Sequence, residues 1–163
     1  MRKIYSIFIT LIALVLTFFV LNSYVYYQKQ SETVSVKLYY YNPLLDQGEG
    51  GVQCTEKGLV EVKRQIPKTQ TPLFDTIELL IKGELTSEEK VGGLQTEFPL
   101  EGLSLESANI QNEIVTLEFF DPNNKTVGGS CRTGILQAQI QKTAKQFQNV
   151  KEVRFLPEDL FQP

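Results

Sequence analysis

The stretch Ile110-Gln111-Asn112-Glu113-Ile114-Val115-Thr116-Leu117-Glu118-Phe119 decides the reading of the fold. In its second half Val115, Leu117 and Phe119 point one way and Thr116 and Glu118 the other, the period of a half-buried strand. The segment Gln111-Asn112-Glu113 reads as a turn, because Asn tolerates the left-handed backbone that tight turns demand. A hairpin is therefore predicted, with arms over 103–110 and 114–120.

Upstream of the hairpin, Thr71-Pro72 has the form of a helix start: an N-cap oxygen followed by Pro at the first helical position. Leu73, Phe74, Ile77, Leu80 and Ile81 recur at helical spacing, and Gly83 offers a stop after Lys82. Residues 84–93 read as a polar connection. Further upstream, Val34, Val36, Leu38 and Tyr40 alternate with polar or amphipathic neighbours, and a second strand is predicted over 59–66 before Pro67. Between these strands, the Gly-rich and acidic residues 46–51 read as an exposed loop.

Downstream, a helix is predicted to begin near Arg132 or Thr133, with Leu136, Ile140, Thr143 or Ala144, and Phe147 along one face. A last strand over 151–156 stops at Pro157. The order β-β-α-β-β-α-β predicts an α+β fold: one mixed β-sheet with two helices packed on one face.

Residues 4–27 carry no charge and are dominated by Leu, Ile, Val and Phe. As a helix rising about 1.5 Å per residue they would reach about 36 Å, enough for a hydrocarbon core of about 30 Å. Arg2 and Lys3 precede the run, and such positive flanks stay cytoplasmic. A cleaved signal peptide would have a shorter apolar run and small residues at its cleavage site. Here the run continues into Leu21-Asn22-Ser23-Tyr24, with no Ala-x-Ala pattern and no Cys for lipid attachment. The expected organisation is a cytoplasmic stub 1–3, a transmembrane signal-anchor helix 4–27, a linker 28–34, an extracytoplasmic domain 35–157 and a tail 158–163. That describes a single-pass bacterial membrane protein whose domain faces the cell surface or periplasm.

All nineteen Asp and Glu lie beyond this run, with fourteen of the sixteen Lys and Arg, so the outer part carries a formal charge of −5. An acidic surface argues against nucleic acid or anionic lipid as partner. The chain has no His, the commonest metal ligand and usual general base at neutral pH. Signatures of nucleotide-binding loops, metalloproteases and serine hydrolases are absent, and the carboxylates read as solvated surface. Neither an enzyme nor a cofactor is expected. Cys54 and Cys131, the two cysteines, are expected to form a structural disulfide, since outside the membrane an isolated pair is more often bridged than free. Arg64 at a strand end and Arg132 at a helix start are the candidate binding residues. Each could face a ligand or hold the structure, and a cation at a helix start needs a specific partner.

Taken together, these pieces resemble the GerMN domain, a family named for sporulation and spore germination proteins. The residues that carry the likeness are Leu38-Tyr39-Tyr40, Arg64-Gln65-Ile66-Pro67-Lys68-Thr69, Leu79-Leu80-Ile81-Lys82-Gly83 and Gly93-Leu94-Gln95-Thr96-Glu97-Phe98-Pro99. The hairpin stretch quoted above follows, and then Arg132, Gln139-Ile140, Thr143, Gln146-Phe147, Val150 and Val153. Two positions depart from the family pattern: Glu84, where Pro is frequent, and Glu118, where Asp is common. The resemblance implies a fold like the ring-building modules of secretion-type assemblies, no established catalytic residues, and contact with other envelope proteins. The function expected is a non-catalytic interaction or assembly module of the cell envelope, binding other envelope proteins or itself. The alternative is a cell-wall glycan or small-ligand sensor with a cleft near Arg64 and Arg132.

Overall fold

The computed structural model describes residues 11–23, 26, 32–47 and 53–163. Residues 11–23 are helical, with Leu14, Phe18, Phe19 and Val20 exposed. Among the described residues no helix is long and apolar enough to cross a membrane. The rest of the expected anchor, at 4–10, 24, 25 and 27, lies outside the described residues, as do most of the expected linker and residues 48–51 of the acidic loop.

Strand β1 (Thr33–Tyr41) pairs antiparallel with β2 (Leu59–Pro67) along its whole length, from Thr33 opposite Pro67 to Tyr41 opposite Leu59. The alternation read from the sequence holds from Val36 onward: Val36, Leu38 and Tyr40 are buried, as are Val62 and Ile66 on the facing strand, while Val34 near the strand's start is exposed. A short 3-10 turn (Glu56–Gly58) leads into β2, with Thr55 as its cap. Asp46, expected in an exposed loop, is instead buried. Its carboxylate accepts from the Tyr41 hydroxyl and the Thr55 amide, both at 2.7 Å, and from the Thr55 hydroxyl. Burial pushes that carboxyl up, but these donors outweigh it and hold it below the ordinary range. The Tyr41 hydroxyl in turn accepts from the Cys54 amide at 3.2 Å, which fixes the corner where the disulfide begins.

Helix α1 (Pro72–Ile81) buries Leu73, Thr76, Ile77, Leu80 and Ile81. Pro72 stands at its start as expected, but the Thr71 hydroxyl caps no helix amide and donates to Asp75 at 3.4 Å instead. Gly83 ends the helix at φ +66, where a Cβ would lie 1.9 Å from the Phe98 carbonyl oxygen, so both conformation and space demand glycine. The connection expected over 84–93 contains a further helix, α2 (Ser87–Val91), closed by a capping box. Glu89 N donates to the Thr86 hydroxyl at 3.2 Å, and Thr86 N donates to the Glu89 carboxylate at 2.9 Å.

The hairpin forms from β3 (Ser104–Gln111) and β4 (Ile114–Phe120), joined by Asn112 and Glu113, both at positive φ. Such a two-residue turn matches the strand twist. Helix α3 (Ser130–Ala144) starts earlier than expected, at Ser130 after Gly129. Strand β5 (Glu152–Leu156) then pairs parallel with β4. Beyond it, Leu160 and Phe161 turn back into the core, where Phe161 meets Phe119 and Phe155 at 6.1 and 5.2 Å between ring centres.

The fold is α+β, but the single sheet expected from the sequence is two: β1-β2, and a mixed sheet ordered β3-β4-β5. The free edge of β1 does not continue into the second sheet because side chains of the α3 region occupy it. Lys37 N donates to Gln146 Oε1 and Gln146 Nε2 donates to Lys37 O, both at 2.7 Å, while Tyr39 N donates to Thr143 Oγ1 at 3.2 Å. Helix α1 packs against α3, β3 and β1, and the core of Leu38, Tyr40, Ile77, Leu80, Leu117 and Ile140 closes between these elements.

Cys54 and Cys131 are joined across 77 residues, with Cα atoms 5.2 Å apart. The bond fastens the loop before β2 to the first turn of α3. Closing a loop of this length stabilises by about 4–5 kcal/mol in the chain-entropy account. In urea unfolding, Cys131→Ala is expected to lower stability by roughly 2–5 kcal/mol. An unchanged midpoint would show that the bond constrains nothing.

Candidate functional site

Strand pairing puts Arg64 opposite Val36, on the same face as Val60, Val62 and Ile66, so the period-two pattern directs this cation toward the interior. Its guanidinium grips Glu89 with both terminal nitrogens at 2.7 Å. It also donates to the Glu84 carbonyl at 3.1 Å and the Lys63 carbonyl at 3.2 Å. Arg64 thus ties β2 to the Gly83 turn and to α2, and Glu89 serves both this pair and the capping box. Nearby, the buried Tyr40 hydroxyl finds no protein partner, and burial pushes its pKa up to about 12.

Arg132 lies in the first turn of α3, where the helix dipole disfavours a cation. Three acceptors compensate: Glu97 receives Nε at 2.5 Å, and the carbonyls of Val127 and Lys125 receive the terminal nitrogens at 2.6 and 2.9 Å. The loop holding those carbonyls is itself set by Asp121, which accepts from Lys125 N at 2.9 Å and Thr126 N at 2.8 Å. Burial pushes the Asp121 carboxyl up, and these backbone donors bring it below its ordinary value.

Arg132 lines a cavity of about 410 Å³ beside the disulfide, with Tyr41, Glu97, Cys131, Leu136 and Gln139. Arg64 does not reach it, so the two arginines share no cleft there. Gln139, which the sequence reading placed in no site, is fully buried, and neither atom of its amide has a protein partner. It belongs to a stripe with Thr143 and Gln146 at i, i+4 and i+7. The latter two grip Tyr39 and Lys37, but the next outward residue, Tyr41, has its N–H and C=O taken by Gln95 at 3.2 and 2.7 Å. Gln139 is left over where this zipper ends. A hollow of similar volume, about 420 Å³, runs along β5, yet no buried polar group lining it lacks a partner. Among the described residues, no group of three or more Cys, Asp and Glu could hold a metal ion.

Hydrogen bonding by Arg64 holds the Glu89 carboxyl below its ordinary value. Such a group stabilises fully above its unfolded pKa of about 4.3 and loses that contribution as pH falls through the folded value. Glu89→Gln leaves Arg64 without its counter-charge. It is expected to cost roughly 1–3 kcal/mol near neutral pH, the partial exposure of the pair being allowed for. The gap between variant and parent in urea unfolding should hold down to about pH 5 and close below about pH 4. A gap independent of pH would contradict the ion pair.

Residues 37–159 match the Germane family, described as sporulation and spore germination. Among solved structures, the tandem GerMN domains of the sporulation protein GerM from Bacillus subtilis are similar at 24% identity and a TM-score of 0.55, over 80% of this chain and 42% of that one. The first GerMN domain of that protein is similar at 18% identity and a TM-score of 0.51, over 75% of this chain and 80% of that one. Likeness at these identities is one of fold. The chain spans less than half of the tandem-domain structure. A comparison with curated proteins finds no match. The match across most of the domain, together with the two-sheet α+β architecture, establishes that the chain belongs to the Germane family.

Proposed function

We propose that the chain is a membrane-anchored, extracytoplasmic and non-catalytic protein-interaction module of the bacterial cell envelope. The uncharged run at 4–27 behind Arg2 and Lys3 supports the anchor and its orientation. The observation that carries the interaction reading is an apolar corner where the turn after β1 meets the end of α2. There Val91 is 90% exposed, Leu44 73% and Leu45 56%. The corner is built rather than loose. Asn42 Nδ2 donates to the Gly92 carbonyl at 3.0 Å, Leu44 N donates to Asn42 Oδ1 at 3.0 Å, and Leu45 N donates to the Asn42 carbonyl at 3.1 Å. Single exposed apolar residues are ordinary, but a cluster on a hydrogen-bonded frame fits a protein partner. That partner is another envelope protein or a second copy of this chain.

The reading of a small-ligand sensor draws its support from the cavity beside Arg132.

Crosslinking in native membranes, followed by mass spectrometry, is expected to recover an envelope protein or a self-crosslink at this corner. Leu44→Asp with Val91→Asp should reduce its yield at least tenfold while leaving thermal unfolding unchanged, because both side chains are exposed. A crosslink indifferent to these substitutions, or an uncrosslinked monomer throughout, would overturn the reading.

A further inference from the structure

Gln139 is fully buried, its amide is unpartnered within the protein, and the residue lines the cavity together with Tyr41, Glu97, Cys131, Arg132, Ile135 and Leu136. A buried carboxamide with neither donor nor acceptor engaged is destabilising relative to an apolar side chain of similar size, so its presence needs an explanation. The same stripe shows what such an amide can grip. Gln146 takes the N–H and C=O of a single extended residue, Lys37, with both halves of its amide. Those two groups point the same way from one residue of an extended chain. In a trans amide, by contrast, C=O and N–H point in opposite directions, so one acetamido group of a glycan can engage only half of Gln139. The neighbouring charge favours a neutral ligand, since Arg132 is already matched by Glu97 and two carbonyls.

We propose that this cavity binds a short, uncharged, extended peptide segment of a partner protein. Gln139 pairs with the N–H and C=O of one residue, and that residue's apolar neighbour packs on Leu136 and Ile135. This rests on the interaction reading and adds to the apolar corner a second surface, with the chemistry recognised there.

The test uses the full chain in detergent micelles, titrated with blocked tripeptides carrying a central Leu, Val or Phe, and separately with a disaccharide of N-acetylglucosamine. NMR would follow the Gln139 side-chain NH₂ and the amides of Tyr41 and Leu136, up to about 10 mM ligand, so that millimolar binding registers. Saturable shifts at these groups with a peptide are expected, with at least a tenfold loss of affinity in Gln139→Leu. That variant should unfold at the same temperature or higher, because it removes an unpartnered amide. Three results would overturn the proposal: no shift with any peptide, peptide shifts that survive Gln139→Leu, or shifts with the disaccharide alone. If the crosslink at Leu44 and Val91 persists while no peptide binds, the cavity proposal fails and the interaction reading stands. Loss of both would remove both.

Discussion

Strand β1 has β2 on one side only, and the N–H groups of Lys37 and Tyr39 point away from that partner. A two-stranded ribbon alone is marginal in water, and an unpaired edge invites pairing with another chain. Here Gln146 and Thr143 stand in for a third strand, offering acceptors at the positions where a neighbouring backbone would place them. This side-chain zipper joins β1-β2 to α3. Through α3 and α1 it joins them to β3-β4-β5, so the two sheets enclose one core. The cavity follows from the same constraint. Where Gln95 captures Tyr41, the zipper stops and the next member of the stripe, Gln139, has no strand to hold.

The charged residues with the clearest environments are engaged in holding the frame. Asp46 gathers Tyr41 and Thr55 and so sets the corner that presents Cys54. Arg64 and Glu89 connect β2 to α2, and Asp121 winds the loop whose carbonyls receive Arg132. Their pKa directions agree with this: Glu89, Asp46 and Asp121 are all held as carboxylates by donors in their surroundings. Such groups serve as acceptors in the fold, and the proposed recognition surfaces, the corner at Leu44 and Val91 and the cavity at Gln139, are formed by other residues.

Local signals in the sequence translated well. The hairpin was legible because Asn112 can take positive φ between two alternating arms, and α1 because Pro72 and Gly83 bracket an apolar stripe. The short helix α2 was equally available in Thr86-Ser87-Glu88-Glu89, a capping-box pattern that the polar composition of 84–93 obscured. Strand partnership was not legible, since nothing local to Lys37 or Tyr39 reveals that Gln146 and Thr143, more than a hundred residues away, satisfy their edge. The burial of Asp46 was hidden for a related reason: a carboxylate in a Gly-rich loop reads as solvated until its donors converge in space. Arg64 was half-legible: it reads as a strand-end cation, and its spacing of two from Val62 and Ile66 carries the further signal that it faces inward. At Gln139 the visible clue was a polar residue sharing a helical stripe with Thr143 and Gln146.

Backbone hydrogen exchange of Lys37 and Tyr39 tests the central constraint most directly. If Gln146 and Thr143 act as the third strand, these two amides exchange as slowly as those within the β1-β2 ladder, and Gln146→Ala selectively accelerates Lys37. Fast exchange of both amides in the parent protein, or no response at Lys37 to Gln146→Ala, would contradict the account.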